Sequence, residues 1–379
     1  MNDPAEAQRI YLIPGLFGFG KLADYDYFEH IERALVRRFA DAGVALAIEV
    51  ISAPPTASIP FRAGLLAERI TATAGERGPI HLIGHSTGGL DARLVVAPGT
   101  RLAHIAEGAD FRARVRSVVT VNTPHYGTPL AGYFATAAGT RMLYLLSLLT
   151  VASLSIGKLP LAAFSSALSA VSGLDRKLGV QIRLLEELTA PLLRFVGPDG
   201  RKQIHTYLGH VKHDQGGIIQ LMPEVMELFN ATVGDDPAVR YGCIATVAPA
   251  PGPRRVLAAV GRPVSALHLA IYSTVYGFAS RAAARYPYAE PNAQQSTKVA
   301  SALKSKLEAG SVDGIVPTLS MLWGELLYCG FADHLDIVGH FGDRARLPVH
   351  VDWLQSGAHF RRDDFEQMAD ALASFLLQR

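Results

Sequence analysis

The sequence predicts an α/β protein in which a mostly parallel sheet carries helices on both faces. Short, largely apolar runs alternate with helical patterns through the first third of the chain, and this alternation is typical of βαβ units. A further strand-like run follows in the second half, and a long amphipathic stretch ends the chain. The 379 residues are enough to bury one large core, with or without an inserted segment.

Hydrophobic periodicity places the individual elements. An amphipathic stretch from Phe28 to Ala40 predicts one helix, and apolar residues at helical spacing after Ser86 predict another. Residues 361–378 predict a closing helix with four apolar side chains on one face: Phe365, Met368, Leu372 and Phe375. The apolar runs that are expected to form strands are residues 9–15, 44–52, 80–84, 115–124 and 239–249.

One long segment carries almost no charge. From Pro129 to Gly173 the only charged residues are Arg141 and Lys158. Its centre, residues 142–156, is fifteen mostly apolar residues long, whereas a membrane-spanning helix needs about 20. A buried core helix, a mobile lid, a helix at a lipid interface and a membrane anchor all remain open for it.

This segment divides the chain into two parts. Residues 1–129 and 213–379 are expected to form the core, and residues 130–212 to form a helical, apolar cap or lid. A cap of this composition would bind hydrophobic substrates and could contact a lipid surface. The oligomeric state is left open.

Charge and cysteine content exclude some classes of function. The net charge is +2 and no cluster of basic residues is present, so we expect no nucleic-acid partner. Cys243 and Cys329 fit no metal-binding spacing, and buried thiols are expected rather than a disulfide. Residues 1–15 show no secretory signal, so a cytoplasmic location is expected unless the sequence begins after processing.

A serine lies at a predicted junction between strand and helix. Residues 84–89 read Gly-His-Ser-Thr-Gly-Gly and follow an apolar run. In a nucleophile elbow the serine sits on a tight turn, and the flanking glycines are needed because a side chain would collide with the neighbouring backbone. An ordinary glycine-rich turn is the alternative, but the strand before and the helix after favour Ser86 as a nucleophile.

Two backbone N–H groups are candidate oxyanion donors. Thr87 begins the helix after Ser86, where the N–H groups point toward the site. The loop at residues 14–20 follows the first strand and contains three glycines, and this position nominates the N–H of Leu16 as the second donor. A turn that needs glycine only to change direction would look the same.

Four segments together resemble the bacterial triacylglycerol lipases of the α/β-hydrolase superfamily: residues 11–20, 84–89, 118–131 and 223–232. The resemblance implies an α/β-hydrolase fold and hydrolysis of hydrophobic esters without a cofactor. One position departs from the family pattern. The oxyanion loop of these lipases carries a histidine where this sequence has Pro14, so the hydrogen bonds within the loop must differ.

The same resemblance implies an acid and a base. Residues 311–324 are similar to the family segment that carries the acid, which makes Asp313 that residue. Residues 332–341 are similar to its His-Leu-Asp segment, which makes His334 the base. His359, which precedes the closing helix, is the main rival, and His340 and His350 are weaker ones.

Other polar residues near these motifs have plainer interpretations. His85 is expected to pack or form hydrogen bonds under the serine turn, and Asp91 to be a surface or helix-stabilising charge. His125 and Tyr126 could line the site, although turn geometry explains their segment equally well. Asp336 matches a calcium ligand of the family, but no partner carboxylates are found before Asp313, so no metal site is expected.

The sequence therefore predicts a serine ester hydrolase of the lipase or esterase type with hydrophobic acyl esters as substrates. Ser86, Asp313 and His334 would form the triad, and the N–H groups of Leu16 and Thr87 the oxyanion hole. Two alternatives remain. A thioesterase, amidase or acyltransferase would use the same triad, and a catalytically silent hydrolase fold could bind lipid instead.

Overall fold

A six-stranded parallel sheet organises the part of the chain that the computed structural model describes. Its strand order is β4-β1-β5-β6-β7-β8, and each pair of neighbours is parallel. A separate two-stranded hairpin is formed by β2 and β3. The strands are β1 (Gln8–Ile13), β2 (Lys21–Leu22), β3 (Tyr25–Asp26), β4 (Leu46–Val50), β5 (Ile80–His85), β6 (Val115–Val121), β7 (Arg240–Val247) and β8 (Glu325–Phe331). The described residues are 7–16, 21–22, 25–102, 110–136, 139–140, 143, 146–147, 198–253, 255, 257, 263–343, 349–352 and 354–378.

Helices connect and flank these strands. The first of them fall between successive strands of the sheet, as expected for βαβ units. They are α1 (Glu29–Asp41), α2 (Ile59–Thr73), α3 (Thr87–Val96), α4 (Leu130–Phe134), α5 (Pro198–His213), α6 (Gly216–Gln220), α7 (Pro223–Thr232), α8 (Pro263–Ala283), α9 (Ala293–Leu303) and α10 (Arg362–Leu377).

The five strands expected from the sequence all form, and they belong to one sheet. The helices expected over residues 28–40 and 361–378 are α1 and α10. Strand β8 was not predicted, because its sequence ELLYCGF neither alternates nor forms a wholly apolar run. Cys243 and Cys329 lie on neighbouring strands as buried free thiols, in agreement with the prediction.

The parallel arrangement brings the carboxyl ends of all six strands to one edge of the sheet. The segments that follow β1, β5 and β6 contain Leu16, Ser86 and His125, and the segment after β8 contains His334. Ligand sites in parallel sheets form beyond these carboxyl ends. Chemistry-bearing residues from distant parts of the sequence therefore meet at this edge.

The expected cap lies largely outside the described residues. Residues 148–197 and several between 137 and 145 are not described, so the division into 1–129, 130–212 and 213–379 remains a prediction. Helices α4 and α5 lie at the two ends of the expected insertion. Among the helices that the structure describes, none is both long and apolar enough to cross a membrane.

The closing helix α10 packs its apolar face into the core. Phe365, Met368 and Leu372 are buried, and so is Phe375. On its outer side, Glu366 and Asp370 both pair with Arg38 of α1, at 2.8 and 2.7 Å. The apolar face predicted from the sequence is therefore the one that anchors this helix.

We expect Leu372→Ala to lower the free energy of unfolding by about 2–5 kcal/mol, because Leu372 is completely buried and its removal leaves a cavity. Urea denaturation of the purified protein measures this. Ser374→Ala on the exposed face of the same helix should change stability by less than about 0.5 kcal/mol. Equal effects of the two substitutions would show that the packing of α10 is not as described.

Candidate active site

Ser86 occupies a strained turn between β5 and α3. Its φ angle is 55°, in the left-handed region that residues other than glycine rarely adopt. The turn is tight because a Cβ added at Gly84 would lie 2.3 Å from the backbone of Gly88. The N–H of Ser86 donates to the carbonyl of Val121 at the end of β6, at 2.8 Å. The backbone therefore presents this serine at the sheet edge, as in a nucleophile elbow.

The loop after β1 lies directly against this serine. A Cβ added at Gly15 would lie 2.4 Å from Cβ of Ser86, so only glycine allows the contact. Leu16 follows, is buried, and lines the same cavity as Ser86. On the other side, Thr87 is the first residue of α3. Both nominated oxyanion donors thus belong to backbone that flanks the serine.

Asp313 and His334 form a buried hydrogen-bonded pair. Nδ1 of His334 lies 2.6 Å from Oδ2 of Asp313 and donates to it, which leaves Nε2 for the serine side. The other carboxylate oxygen, Oδ1, accepts the N–H groups of Ile315 and Val316 at 2.9 and 2.7 Å. Both side chains are almost completely buried, so solvent does not compete for these bonds.

Backbone contacts hold the two loops together. The N–H of His334 donates to the carbonyl of Asp313, at 3.1 Å. Nε2 of His85 donates to the carbonyl of His334 at 2.8 Å, and Nδ1 of His85 accepts from the hydroxyl of Tyr27. Burial lowers the pKa of His85 well below its ordinary value, so this ring is neutral. His85 therefore positions the backbone of His334. This agrees with the expectation that His85 packs or forms hydrogen bonds under the serine turn.

Ser86 and His334 line one small cavity. Its walls are otherwise mostly apolar and come from the loop after β1, from α4, from α6 and from the Asp313 loop. The lining residues are Leu16, Ser86, Pro124, Thr128, Ala131, Phe134, Ile218, Leu221, Ile315, Val316 and His334. The structure thus brings together Ser86, His334, Asp313 and Leu16, with Thr87 next in sequence to the serine.

The rival histidines lie elsewhere. His359 is exposed and lines a different groove, beside β8. His340 is buried and its Nε2 donates to the carbonyl of Tyr27 at 3.1 Å. His350 donates through Nδ1 to the carbonyl of Gly339, at 2.7 Å. None of the three is among the residues that line the cavity of Ser86.

The structure decides two of the alternatives left open for polar residues near the motifs. Asp91 is not a surface charge but is buried, and its Oδ2 pairs with Arg62 at 2.8 Å. The sequence could not place it correctly because Arg62 is 29 residues away on another helix. His125 does not line the cavity in the described part of the chain. It packs on Trp323 and accepts from Arg93 through Nδ1 at 3.2 Å.

Three carboxylates form a compact group, two from the loop of the candidate base and one from a later segment. Asp333, Asp336 and Asp352, here called the carboxylate cluster, have oxygen atoms that lie within 4.8 Å of one another. Burial and mutual repulsion raise the pKa of Asp336 well above its ordinary value and that of Asp352 to about 7. The partners of Asp336 that were sought before Asp313 thus lie after it.

The carboxylate cluster fits a hard divalent cation. Oδ2 of Asp333 is buried and has no hydrogen-bond partner among the described residues. Its Oδ1 accepts the N–H groups of Leu335 and Asp336 at 2.9 and 3.0 Å. Several carboxylate oxygens around one point are the donor set that Ca²⁺ prefers. A cation there would also compensate the repulsion among the three groups.

Comparisons with known proteins agree with this architecture. A metagenomic carboxyl esterase superposes with a TM-score of 0.51 at 15% identity, over 98% of this chain and 76% of the esterase. EstA from Clostridium botulinum gives 0.51 at 17% identity, over 97% and 88% of the two chains. The chain has an α/β-hydrolase fold. The prediction of the fold from the sequence is thereby confirmed for the sheet and its flanking helices.

Sequence comparison gives a partial match. A triacylglycerol lipase from Pseudomonas fragi is 32% identical over 124 residues, which are 32% of this chain. The match spans 36% of the lipase, about a third of its length. No protein-family model matches the chain. The partial relative is named a lipase and one of the two superposed structures a carboxyl esterase, in line with the resemblance of the motifs.

Buried histidines below the site predict acid sensitivity. His30 stacks on His350 at 3.8 Å between ring centroids, and its Nδ1 has no hydrogen-bond partner in the described structure. Burial lowers the pKa of His30 to about 3 and that of His340 to about 4. The unfolded chain binds these protons near pH 6.5, so the contribution of these two histidines to stability falls as pH falls from about 6.5 toward 4.

For each unit by which the pH falls in this window, we expect each histidine to lower the free energy of unfolding by at most about 1.4 kcal/mol. Thermal unfolding between pH 4 and 8 measures the loss. His30→Gln should flatten the profile, whereas His205→Gln on the exposed surface of α5 should leave it unchanged. A His30→Gln profile as steep as that of the wild type would contradict this account.

Proposed function

We propose that the protein is a serine carboxylester hydrolase of the lipase or esterase type that cleaves hydrophobic acyl esters. The observation that carries the proposal is the 2.6 Å hydrogen bond between His334 and Asp313. This bond lies at the cavity that Ser86 and Leu16 also line. The geometry supports Ser86 as nucleophile, His334 as base, and Asp313 as the acid that orients the base.

The reaction follows from these positions. Ser86 Oγ attacks the ester carbonyl while Nε2 of His334 takes its proton, and the N–H groups of Leu16 and Thr87 stabilise the oxyanion. His334 then protonates the leaving alcohol, and an acyl-enzyme remains. Water attacks the acyl group by the same route in reverse, with His334 as base. Asp313 holds the imidazole in the tautomer with hydrogen on Nδ1 and stabilises its protonated form.

The lining of the cavity supports hydrophobic acyl groups. Phe134, Ile218 and Leu221 contribute apolar side chains beside the serine, and Ile315 and Val316 contribute two more. Binding an alkyl chain there would remove apolar surface from water. The uncharged segment 129–173 would add to this pocket if it forms the expected cap and could contact a lipid surface.

The carboxylate cluster is proposed to bind Ca²⁺, as the resemblance implies for Asp336. Asp333, Asp336 and Asp352 would hold the ion, whose charge would offset their repulsion. Asp333 and Asp336 flank His334 within four residues of chain. A bound ion would therefore order the loop that carries the base and take no part in the chemistry.

The proposal predicts a specific pattern of activity on p-nitrophenyl esters from acetyl to palmitoyl. Ser86→Ala and His334→Ala should each lower kcat/KM by about a thousandfold or more, because each removes a reacting group. His359→Ala is the matched control and should retain wild-type activity, since its side chain is exposed outside the cavity. We expect medium or long acyl chains to be preferred.

Thioester, amide and acyl-transfer substrates assayed alongside separate the other leaving-group classes. If one of them is turned over much faster than any ester, the triad stands and the ester assignment is wrong. A wild-type protein that cleaves nothing, and whose Ser86 is not labelled by a fluorophosphonate, would instead be a silent hydrolase fold that binds lipid.

Added Ca²⁺ should raise the thermal midpoint by several degrees at pH 8, and EDTA should reverse the gain. The gain should shrink at pH 5, because the raised carboxyl pKa values leave the cluster partly protonated there. Differential scanning calorimetry measures both effects. Asp336→Asn should abolish the calcium response, whereas Asp363→Asn, exposed at the start of α10, should keep it. A calcium response that Asp336→Asn leaves intact would rule the cluster out.

A further inference from the structure

A buried arginine joins three segments around the candidate site. Arg62 on α2 is 1% exposed, and its Nε donates to Oδ2 of Asp91 at 2.9 Å. Its Nη1 donates to the carbonyl of Pro54 at 2.9 Å and lies 3.4 Å from that of Pro55. Its Nη2 donates to the carbonyl of Pro14. One guanidinium thus contacts the nucleophile helix, the loop after β4 and the loop after β1.

The contact with Pro14 lies two residues before the candidate oxyanion donor Leu16. Between them, Gly15 contacts Ser86 so closely that no Cβ would fit. A Cβ at Gly88 would lie 2.1 Å from the carbonyl of Ile13. The loop therefore contacts both α3 and Arg62. A shift of the Pro14 carbonyl would move the N–H of Leu16 relative to Ser86.

The side chain at position 14 cannot supply this contact itself. The resembled lipases have a histidine there, whose ring can form hydrogen bonds, but the ring of Pro14 has neither a donor nor an acceptor. In this chain the polar contact at position 14 is made by the backbone carbonyl and comes from Arg62. Arg62 therefore supplies, from another helix, a polar contact at a position whose own side chain can make none.

We propose that Arg62, oriented by Asp91, is a positioning residue that sets the N–H of Leu16 for oxyanion stabilisation. This inference rests on the proposed function. The planar guanidinium is required because one group must serve a carboxylate and several carbonyls in fixed directions, which a lysine ammonium cannot do. Oxyanion donors act only when they are held close to the productive geometry.

Steady-state hydrolysis of the best p-nitrophenyl ester by Arg62→Lys and Arg62→Gln tests the inference. We expect kcat to fall about 10–100-fold and KM to stay within about threefold, because oxyanion contacts form mainly in the transition state. Labelling of Ser86 by a fluorophosphonate should slow by a similar factor. Arg69→Gln is the matched control, since Arg69 lies on the same helix, is exposed and pairs with Glu49. It should behave like the wild type.

Asp91→Asn provides a milder variant. An asparagine oxygen can still accept from Nε of Arg62, so we expect kcat to fall about 3–10-fold without a change in KM. Circular dichroism and the thermal midpoint show whether each variant is folded at the assay temperature. If both Arg62 variants fail to fold, the kcat of Asp91→Asn tests the inference in their place. An unchanged kcat in that variant overturns the inference.

Arg62 has a purely structural role if its folded variants have lower thermal midpoints but wild-type kcat and labelling rates. That result overturns the inference and leaves the proposed function intact. A wild type that is labelled at Ser86 but cleaves no ester points to a different substrate, and the labelling rates still test Arg62. If Ser86 of the wild type is neither active nor labelled, the proposed function and this inference both fail.

Discussion

The contact between the start of α3 and the end of β1 constrains most of the candidate site. Gly88 lies so close to the carbonyl of Ile13 that a Cβ would be 2.1 Å from it. This approach sets the position of the loop at residues 14–16 relative to Ser86, whose own φ of 55° depends on the same packing. A serine in that conformation persists only because its surroundings determine it, at a cost of about 1–3 kcal/mol.

The remaining polar groups are linked to this contact through buried hydrogen bonds. His85 ends β5 directly before Ser86 and donates to the carbonyl of His334, so the candidate nucleophile and base share one support. The base is joined in turn to Asp313 through both its side chain and its backbone N–H. Because each of these bonds is shielded from water, losing one partner would leave a costly unpaired group. The geometry is therefore determined jointly, although its parts come from distant segments.

Local patterns in the sequence predicted what depends on local structure. The strands that precede Ser86 and Leu16 are apolar runs in the sequence. The glycines around Ser86, within residues 84–89, indicate a tight turn in which the backbone leaves no room for a side chain. The resemblance of the motifs nominated Asp313 and His334, and the structure joins these two side chains by one hydrogen bond. Contacts between distant segments cannot be predicted in this way, because no local pattern in the sequence indicates them. Asp91 was expected to be a surface or helix-stabilising charge because nothing in its helix indicates Arg62, and Asp352 lies beyond the segment in which a partner for Asp336 was sought.

The carboxylate cluster shows how the two kinds of information combine. Asp333 and Asp336 are separated by only two residues, His334 and Leu335, and the fold adds the partly buried Asp352 from a later segment. Ionised and uncompensated, these charges would repel one another, which opposes folding. The raised pKa of Asp336 follows from burial and from this repulsion. Either protons or a bound cation on these oxygens would relieve that repulsion, and the calcium ion proposed for the carboxylate cluster would relieve it without protonating the carboxylates.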